Sequence, residues 1–328
     1  MKSAAPAPSA SCLVVMYHYV RHSAATPFPG IKALDPADFA AQLDWLVANF
    51  RVLDYPAFLA ALHDGGLEGP TALLTFDDGF ADHYRQAWPL MRQRGLKGVF
   101  FLSGATLGPR PRLLNVHKTH FLLAHLGDAA FGEAVIAYLE RRGVTWPEAR
   151  TPEGLYRYDQ EQSGRIKRLL NYQLDLALTG QLLDGLFAKH LGDQQEFARG
   201  LYLSAEQIGE MAADGQTFGG HTQSHVVLSR LDAQAQWAEL APGVAMVRQL
   251  TGQASVPFSY PFGHPSTYNQ DSLRLLDQGG YALAFNTQRS LLRWGQHPPL
   301  ELPRLDTKDI PPFKALPQAA QAVGGGHA

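Results

Sequence analysis

The stretch Ala72-Leu73-Leu74-Thr75-Phe76-Asp77-Asp78-Gly79 decides how this chain is read. From Ala72 to Phe76 it carries no charge, as expected for a strand covered on both faces in a parallel sheet. It then ends on two adjacent carboxylates and a glycine. Neighbouring carboxylates at the C-terminal edge of a buried strand raise one another's pKa. A cation that binds one of them removes the repulsion and leaves the other as a base. A turn into a helix N-cap would use the same Asp-Gly pair, so this stretch alone leaves both readings open.

Working outward, Cys12–Met16 (CLVVM) is a second wholly apolar run, and Gly98–Leu102 (GVFFL) a third. Between them, Phe39, Leu43, Leu46 and Val47 recur at helical spacing behind an Asp35-Pro36 cap. Val52–Leu53 reads as a short strand, Phe58–Leu62 as a helix, and Asp82–Arg94 as a helix stopped by Gly95. Strand, helix, strand, helix is the pattern of a parallel sheet with crossover helices.

Residues 108–200 break that rhythm. Phe121–Leu126, Ala134–Leu139, Ile166–Leu178 and Leu182–Leu191 all have helical patterns, with no apolar strand among them, so an inserted helical cap is expected. Alternation resumes with Ala205–Asp214 as helix, Phe218-Gly219-Gly220 as a strand end and Trp237–Leu250 as helix. Pro257–Tyr260, Ser272–Gln278, Ala282–Phe285 and Leu300–Leu305 then complete it. The expected fold class is α/β, one catalytic domain over residues 1–328, with residues 316–328 a flexible tail.

The 328 residues carry 28 Lys plus Arg against 30 Asp plus Glu, a formal charge of −2. Nothing in that balance fits a nucleic-acid partner. With 45% hydrophobic and 18% charged residues the composition also excludes wholesale disorder. The single cysteine, Cys12, cannot close an internal disulfide. The opening residues are rich in Ala, Pro and Ser and lack the apolar core of about 7–15 residues of an export signal. No apolar run approaches the roughly 18 residues of a membrane span. These features predict a cytoplasmic protein with no membrane span.

Two further constellations sit at strand ends. In His221-Thr222-Gln223-Ser224-His225 the histidines are four apart, which puts both on one face of a helical turn, the spacing a metal site uses. Two surface histidines are the alternative. One Asp with two His leaves open positions for water and substrate, as in a catalytic rather than a structural metal site. Phe258-Ser259-Tyr260-Pro261-Phe262-Gly263-His264 is an apolar strand running into Pro-Phe-Gly. It suits a groove wall that offers a backbone N–H to an oxyanion, or a plain strand-to-loop turn.

In the order TFDDG, HTQSH, SYPFG, the chain resembles the polysaccharide deacetylase family, the NodB-type domain of carbohydrate esterase family four. The resemblance runs from about Leu13 to Asp306, and the helical middle is its least familiar part. It implies a distorted (β/α) barrel of about seven parallel strands and metal-dependent removal of an acyl group, usually N-acetyl, from amino sugars. It also implies Asp77 as catalytic base and Asp78, His221 and His225 as ligands of a divalent metal. Zinc is expected there, with nickel or cobalt as substitutes. Tyr260, Phe262 and Arg304 are the expected substrate-side residues.

Two departures from the family pattern matter. An arginine that braces the base in many members is replaced here by Ser259, and Arg304 is the candidate to supply that charge from elsewhere. The family's late general-acid histidine motif is not evident. His18, at the end of strand one in Met16-Tyr17-His18, is the preferred acid, ahead of His264 and His297. Phe121, Trp146, Tyr156, Tyr158 and Tyr172 would form either a lid over the barrel mouth or the cap's own core. His117 and His120 would line that mouth or lie on the surface. The expected substrate is an acylated amino sugar made inside the cell. A deformylase or an amidase acting on a non-sugar C–N bond is the nearest alternative, and a non-catalytic carbohydrate-binding relative the alternative of another class.

Overall fold

Two apolar strands, β1 (Ser11–Tyr17) and β3 (Thr71–Phe76), are buried at every residue and pair in parallel from Cys12↔Thr71 to Tyr17↔Phe76. The structure is a computed structural model and describes residues 11–145 and 161–316. The helices α1 (Pro36–Asn49) and α2 (Tyr55–His63) begin where local chemistry dictates. Asp35 and Asp54 accept the Ala37 and Ala57 N–H groups, and each helix has a proline in its first turn. The short β2 (Arg51–Leu53) lies on the first half of one edge of β3, and β4 (Gly98–Leu102) pairs with the second half.

From β4 the parallel sheet continues through β5 (Thr217–Gly220), β6 (Phe258–Ser259) and β7 (Ala284–Phe285). Leu302 then bridges Phe285, while β9 (Leu305–Asp306) pairs with β1 at Val15↔Leu305. The segment 302–306 thereby joins the two ends, and the sheet curls into a distorted barrel of seven parallel members, as the family resemblance implies. β8 (Leu292–Arg293) adds an antiparallel edge on β1.

Alternation along β1 and β3 divides the core. Leu13, Val15, Tyr17, Ala72, Leu74 and Phe76 pack with residues of α1, α8 (Ala205–Ala213), α9 (Ala233–Thr251) and α10 (Gln270–Gln278). Cys12, Val14 and Leu73 face the other way, onto Val99, Phe101, Phe285 and Leu302. Before β4 the chain passes through α3 (Trp88–Arg92), preceded by a π turn over His83–Ala87.

Between β4 and α8 the chain runs through α4 (Asn115–Glu140), α5 (Glu161–Arg168), α6 (Leu176–Leu191) and α7 (Gln194–Leu201). These share a core of Phe121, Phe131, Ile166, Leu182 and Phe187, which Tyr19, Phe80 and Tyr202 join to the barrel. One expected helix span needs correcting, and one helix was not expected. The run 166–178 is not one helix: a π turn follows Arg168, Leu174 is extended, and Asp175 caps α6 by accepting the Leu178 N–H. α7 was not anticipated; Asp193 starts it by accepting two backbone N–H groups. In length and mean hydropathy α4 would suit a membrane span. Gly127 breaks it at φ 77°, and Phe121, Phe131, Val135 and Leu139 pack into the helical core. Trp146, Tyr156, Tyr158 and positions 317–328 of the expected tail lie outside the described residues.

Candidate active site

Among the described residues four non-glycines adopt the left-handed backbone region: Asp78 (φ 74°), Thr222 (φ 60°), His225 (φ 56°) and Phe262 (φ 62°). All four fall in the three strand-end constellations. Such a conformation costs about 1–3 kcal/mol per residue and persists where surrounding structure enforces it, which is typical of functional sites. Gly79 follows Asp78 at φ 61°, and a Cβ there would stand 2.8 Å from Leu102 Cδ2.

The expected helical turn for His221 and His225 is not present. HTQSH is a loop after β5, and the left-handed Thr222 and His225 swing the two rings together, 4.8 Å between centroids. Glu239 of α9 clamps this loop, accepting the Gln223 N–H (2.9 Å), the Ser224 N–H (2.8 Å) and the Ser224 hydroxyl (2.7 Å). Thr222 Oγ1 accepts the His225 N–H. No pattern in the sequence pointed to Glu239.

Asp78 Oδ1 lies 3.5 Å from His221 Nε2 and 3.3 Å from His225 Nε2. One ligand atom from each of the three residues lies within 4.8 Å of the others. Oδ1 is buried without a hydrogen-bond partner, which a cation between the three would remedy. His221 Nδ1 is 2.7 Å from the Ser259 carbonyl. A carbonyl only accepts, so Nδ1 carries the proton and Nε2 offers its lone pair. One carboxylate oxygen with two imidazole nitrogens is a donor set that fits a divalent cation. Burial acts to raise the Asp78 pKa, but His117, His221 and His225 outweigh it and hold the carboxyl well below the usual range.

Asp77 is held differently. The buried Arg304 grips both its oxygens, Nη1 to Oδ1 at 2.9 Å and Nη2 to Oδ2 at 2.8 Å. The same guanidinium donates to Ser259 Oγ, the Asn286 carbonyl and Thr75 Oγ1. Burial pushes Asp77 up, and Arg304, His221 and His18 together bring it below its ordinary value. The brace expected of Arg304 is present, and the same residue also lines the outer cavity. Tyr260 lines the inner hollow although it is 1% exposed; its hydroxyl donates to the Leu300 carbonyl, and its ring stacks on Tyr268.

Phe262 lines the site, with its ring edge-on to His225 and tilted against Tyr172. His18 Nε2 is 3.9 Å from Asp77 Oδ2, and its side chain is 40% exposed. His83, which no motif had singled out, lies 2.9 Å by Nε2 from the His18 carbonyl and secures the end of β1. Burial lowers its pKa to about 4, so the ring is neutral. His264 lines the outer cavity with Nδ1 on Ser266, and His297 lines neither cavity. Neither of the paired histidines of α4 lies on the open surface. His117 is fully buried with Nε2 3.2 Å from Asp78 Oδ2, and His120 faces the cavity, held neutral by burial and by Lys167.

Two connected hollows result. An inner one of about 170 Å³ is floored by Asp77, Asp78, His221 and His225, with His18 and Phe262 on its rim. An outer cavity of about 1200 Å³ shares His18, His120, Lys167 and Phe262 with it, and adds Lys32, Arg289 and Lys308.

The sequence model for polysaccharide deacetylases matches residues 64–120 and 176–284, just over half the chain and all three constellations. The chain belongs to the polysaccharide deacetylase family. Among relatives of this family, YxkH of Bacillus subtilis (strain 168), named as a polysaccharide deacetylase, is 21% identical over 277 residues. The match takes in 84% of this chain and 64% of that relative's length. Among solved structures, the Streptococcus pyogenes deacetylase PplD in complex with acetate aligns with TM-score 0.59 at 16% identity. That alignment covers 97% of this chain and all of the other. IcaB from Ammonifex degensii aligns with TM-score 0.54 at 20% identity, over 96% of each chain. At these identities the structural likeness establishes the fold.

Proposed function

We propose that this deacetylase-family chain is a metal-dependent hydrolase that removes an N-acyl group, N-acetyl first among them, from an amino sugar or its conjugate. Asp78, His221 and His225 hold the divalent metal, zinc before nickel or cobalt. A cation there supplies Lewis acidity toward the amide carbonyl and toward water. Asp77 takes the proton from the attacking water, and Arg304 keeps that carboxylate ionised and aimed at the inner hollow. The Phe262 N–H is the backbone donor for the developing oxyanion. His18, on the rim beside Asp77, protonates the departing nitrogen. The observation that carries this reading is the partnerless Asp78 Oδ1 facing two imidazoles, directly beside an arginine-braced carboxylate.

The test is mass spectrometry of the purified protein with a panel of acylated amino sugars: free, nucleotide-linked, lipid-linked and oligomeric. Parallel reactions use formylated sugars and non-sugar amides. Release of acetate from an amino sugar, abolished by chelation and restored by zinc, is the expected result. Turnover confined to formyl or non-sugar amides would replace the substrate class. Binding without turnover on any member of the panel would favour the non-catalytic relative.

A further inference from the structure

Asp78 presents its two oxygens to different neighbourhoods. Oδ1 faces His221 and His225, whereas Oδ2 lies 3.2 Å from Nε2 of His117. His117 comes from α4, in the helical segment, and is fully buried. Its Nδ1 lies 2.6 Å from the Tyr202 hydroxyl, which also receives the Leu114 N–H at 3.1 Å.

The direction of the Tyr202–His117 bond decides what His117 does. A backbone N–H can only donate, so Leu114 occupies one lone pair of the phenol oxygen. The phenol's own proton is then free to go to His117 Nδ1. An imidazole that accepts at Nδ1 carries its proton on Nε2. A protonated Nε2 cannot ligate a metal, but it can donate to a carboxylate. That N–H is turned off the line of a hydrogen bond to Oδ2 and has no other partner. A cation drawing Oδ1 toward the two histidines leaves Oδ2 as the acceptor for it.

We propose that His117 is a positioning residue of the metal centre: its Nε2–H, set by Tyr202, engages Asp78 Oδ2 so that Oδ1 turns to the cation. The proposal rests on the metal-centre reading above. On it, the helical segment does more than wall the cavity, because one of its side chains sets the orientation of a ligand. Groups that orient metal ligands in this way typically change metal affinity by about 10–100-fold when removed.

The experiment is zinc affinity by competition with a chromophoric chelator, on the unaltered chain and on His117→Ala, His117→Gln and Tyr202→Phe, each checked for folding by circular dichroism. Cobalt(II) absorption spectra of the same proteins report ligand geometry independently of activity. A glutamine amide nitrogen can reach the place of Nε2 and donate, but it cannot replace an imidazole ligand. His117→Ala is therefore expected to weaken zinc binding about 10–100-fold, and His117→Gln to recover most of that loss with a native-like cobalt spectrum. Native affinity in the alanine variant overturns the proposal. So does a glutamine variant as weak as alanine, which would make His117 a ligand itself. If neither histidine variant folds, Tyr202→Phe decides: weakened zinc binding supports the proposal and native affinity overturns it. If the unaltered chain binds no zinc, nickel or cobalt, the metal reading falls first and this proposal with it.

Discussion

Replacing Arg304 by methionine should destabilise the protein strongly at neutral pH and much less in acid. Arg304 makes two charge-assisted bonds to Asp77, at 2.9 and 2.8 Å, with both partners buried. Methionine fills a similar volume but leaves the carboxylate without its cation. Removing one partner of a buried ion pair costs about 3–5 kcal/mol, and the donor lost to Ser259 Oγ adds to it. In the native chain the Asp77 pKa is depressed. Its contribution to stability is therefore present above the unfolded value of about 3.9 and is lost as pH falls through the lower folded value. In Arg304→Met burial is opposed only by the nearby histidines, so the folded pKa moves up. Ionisation then destabilises the folded variant as pH rises through that value. The gap between native and variant should be widest near neutrality and shrink toward about pH 4.5. Urea denaturation of both chains, with chelator present so that metal binding does not contribute, measures the gap at each pH. A gap under about 1 kcal/mol at neutral pH, the size of an exposed pair, would refute the buried-brace account. A gap independent of pH would refute it as well.

Asp77→Asn should retain zinc and lose about 10²–10⁴-fold in turnover, whereas Asp78→Ala should lose zinc; elemental analysis beside kinetics separates them, and the reverse pattern would exchange their roles. His18→Ala should lower kcat at unchanged metal content, and a fully active variant would move the acid to another group or to water. Glu239→Ala removes the acceptor of two N–H groups and a hydroxyl in the 221–225 loop. It should lower stability by about 1.5–3 kcal/mol for each bond of this charged kind that is lost outright and weaken zinc binding measured by chelator competition. A variant with native melting and native affinity would show that the loop holds its shape without the clamp.

The local grammar of this chain was legible in its sequence. Uncharged runs such as Cys12–Met16 and Ala72–Phe76 are strands buried at every residue, as a parallel sheet covered on both faces requires. Asp35-Pro36 starts α1 because both residues act within one turn. Asp77, Asp78, His221 and His225 were readable as candidate site residues, since residue type and strand-end position are local properties, and the fold brings all four to one hollow. Even there the local rule misled on geometry. The i, i+4 spacing predicted a helical turn, yet left-handed Thr222 and His225 bring the rings together in a loop. The spacing of two residues constrains them only when the backbone between them is regular.

What the tertiary structure alone decided are the pairings between distant segments. Arg304 reaches Asp77 only because the segment 302–306 closes the barrel between β7 and β1. An arginine's sequence neighbours do not reveal whether its guanidinium meets solvent or a buried carboxylate. His117 has the composition of a surface helix position, and it is buried because α4 folds over the strand ends and meets Asp78. Tyr260 was legible as a motif residue but not as a packed one. Whether an aromatic at a strand end faces a hollow or a neighbouring ring is set by the curl of the sheet, a property of all its strands at once.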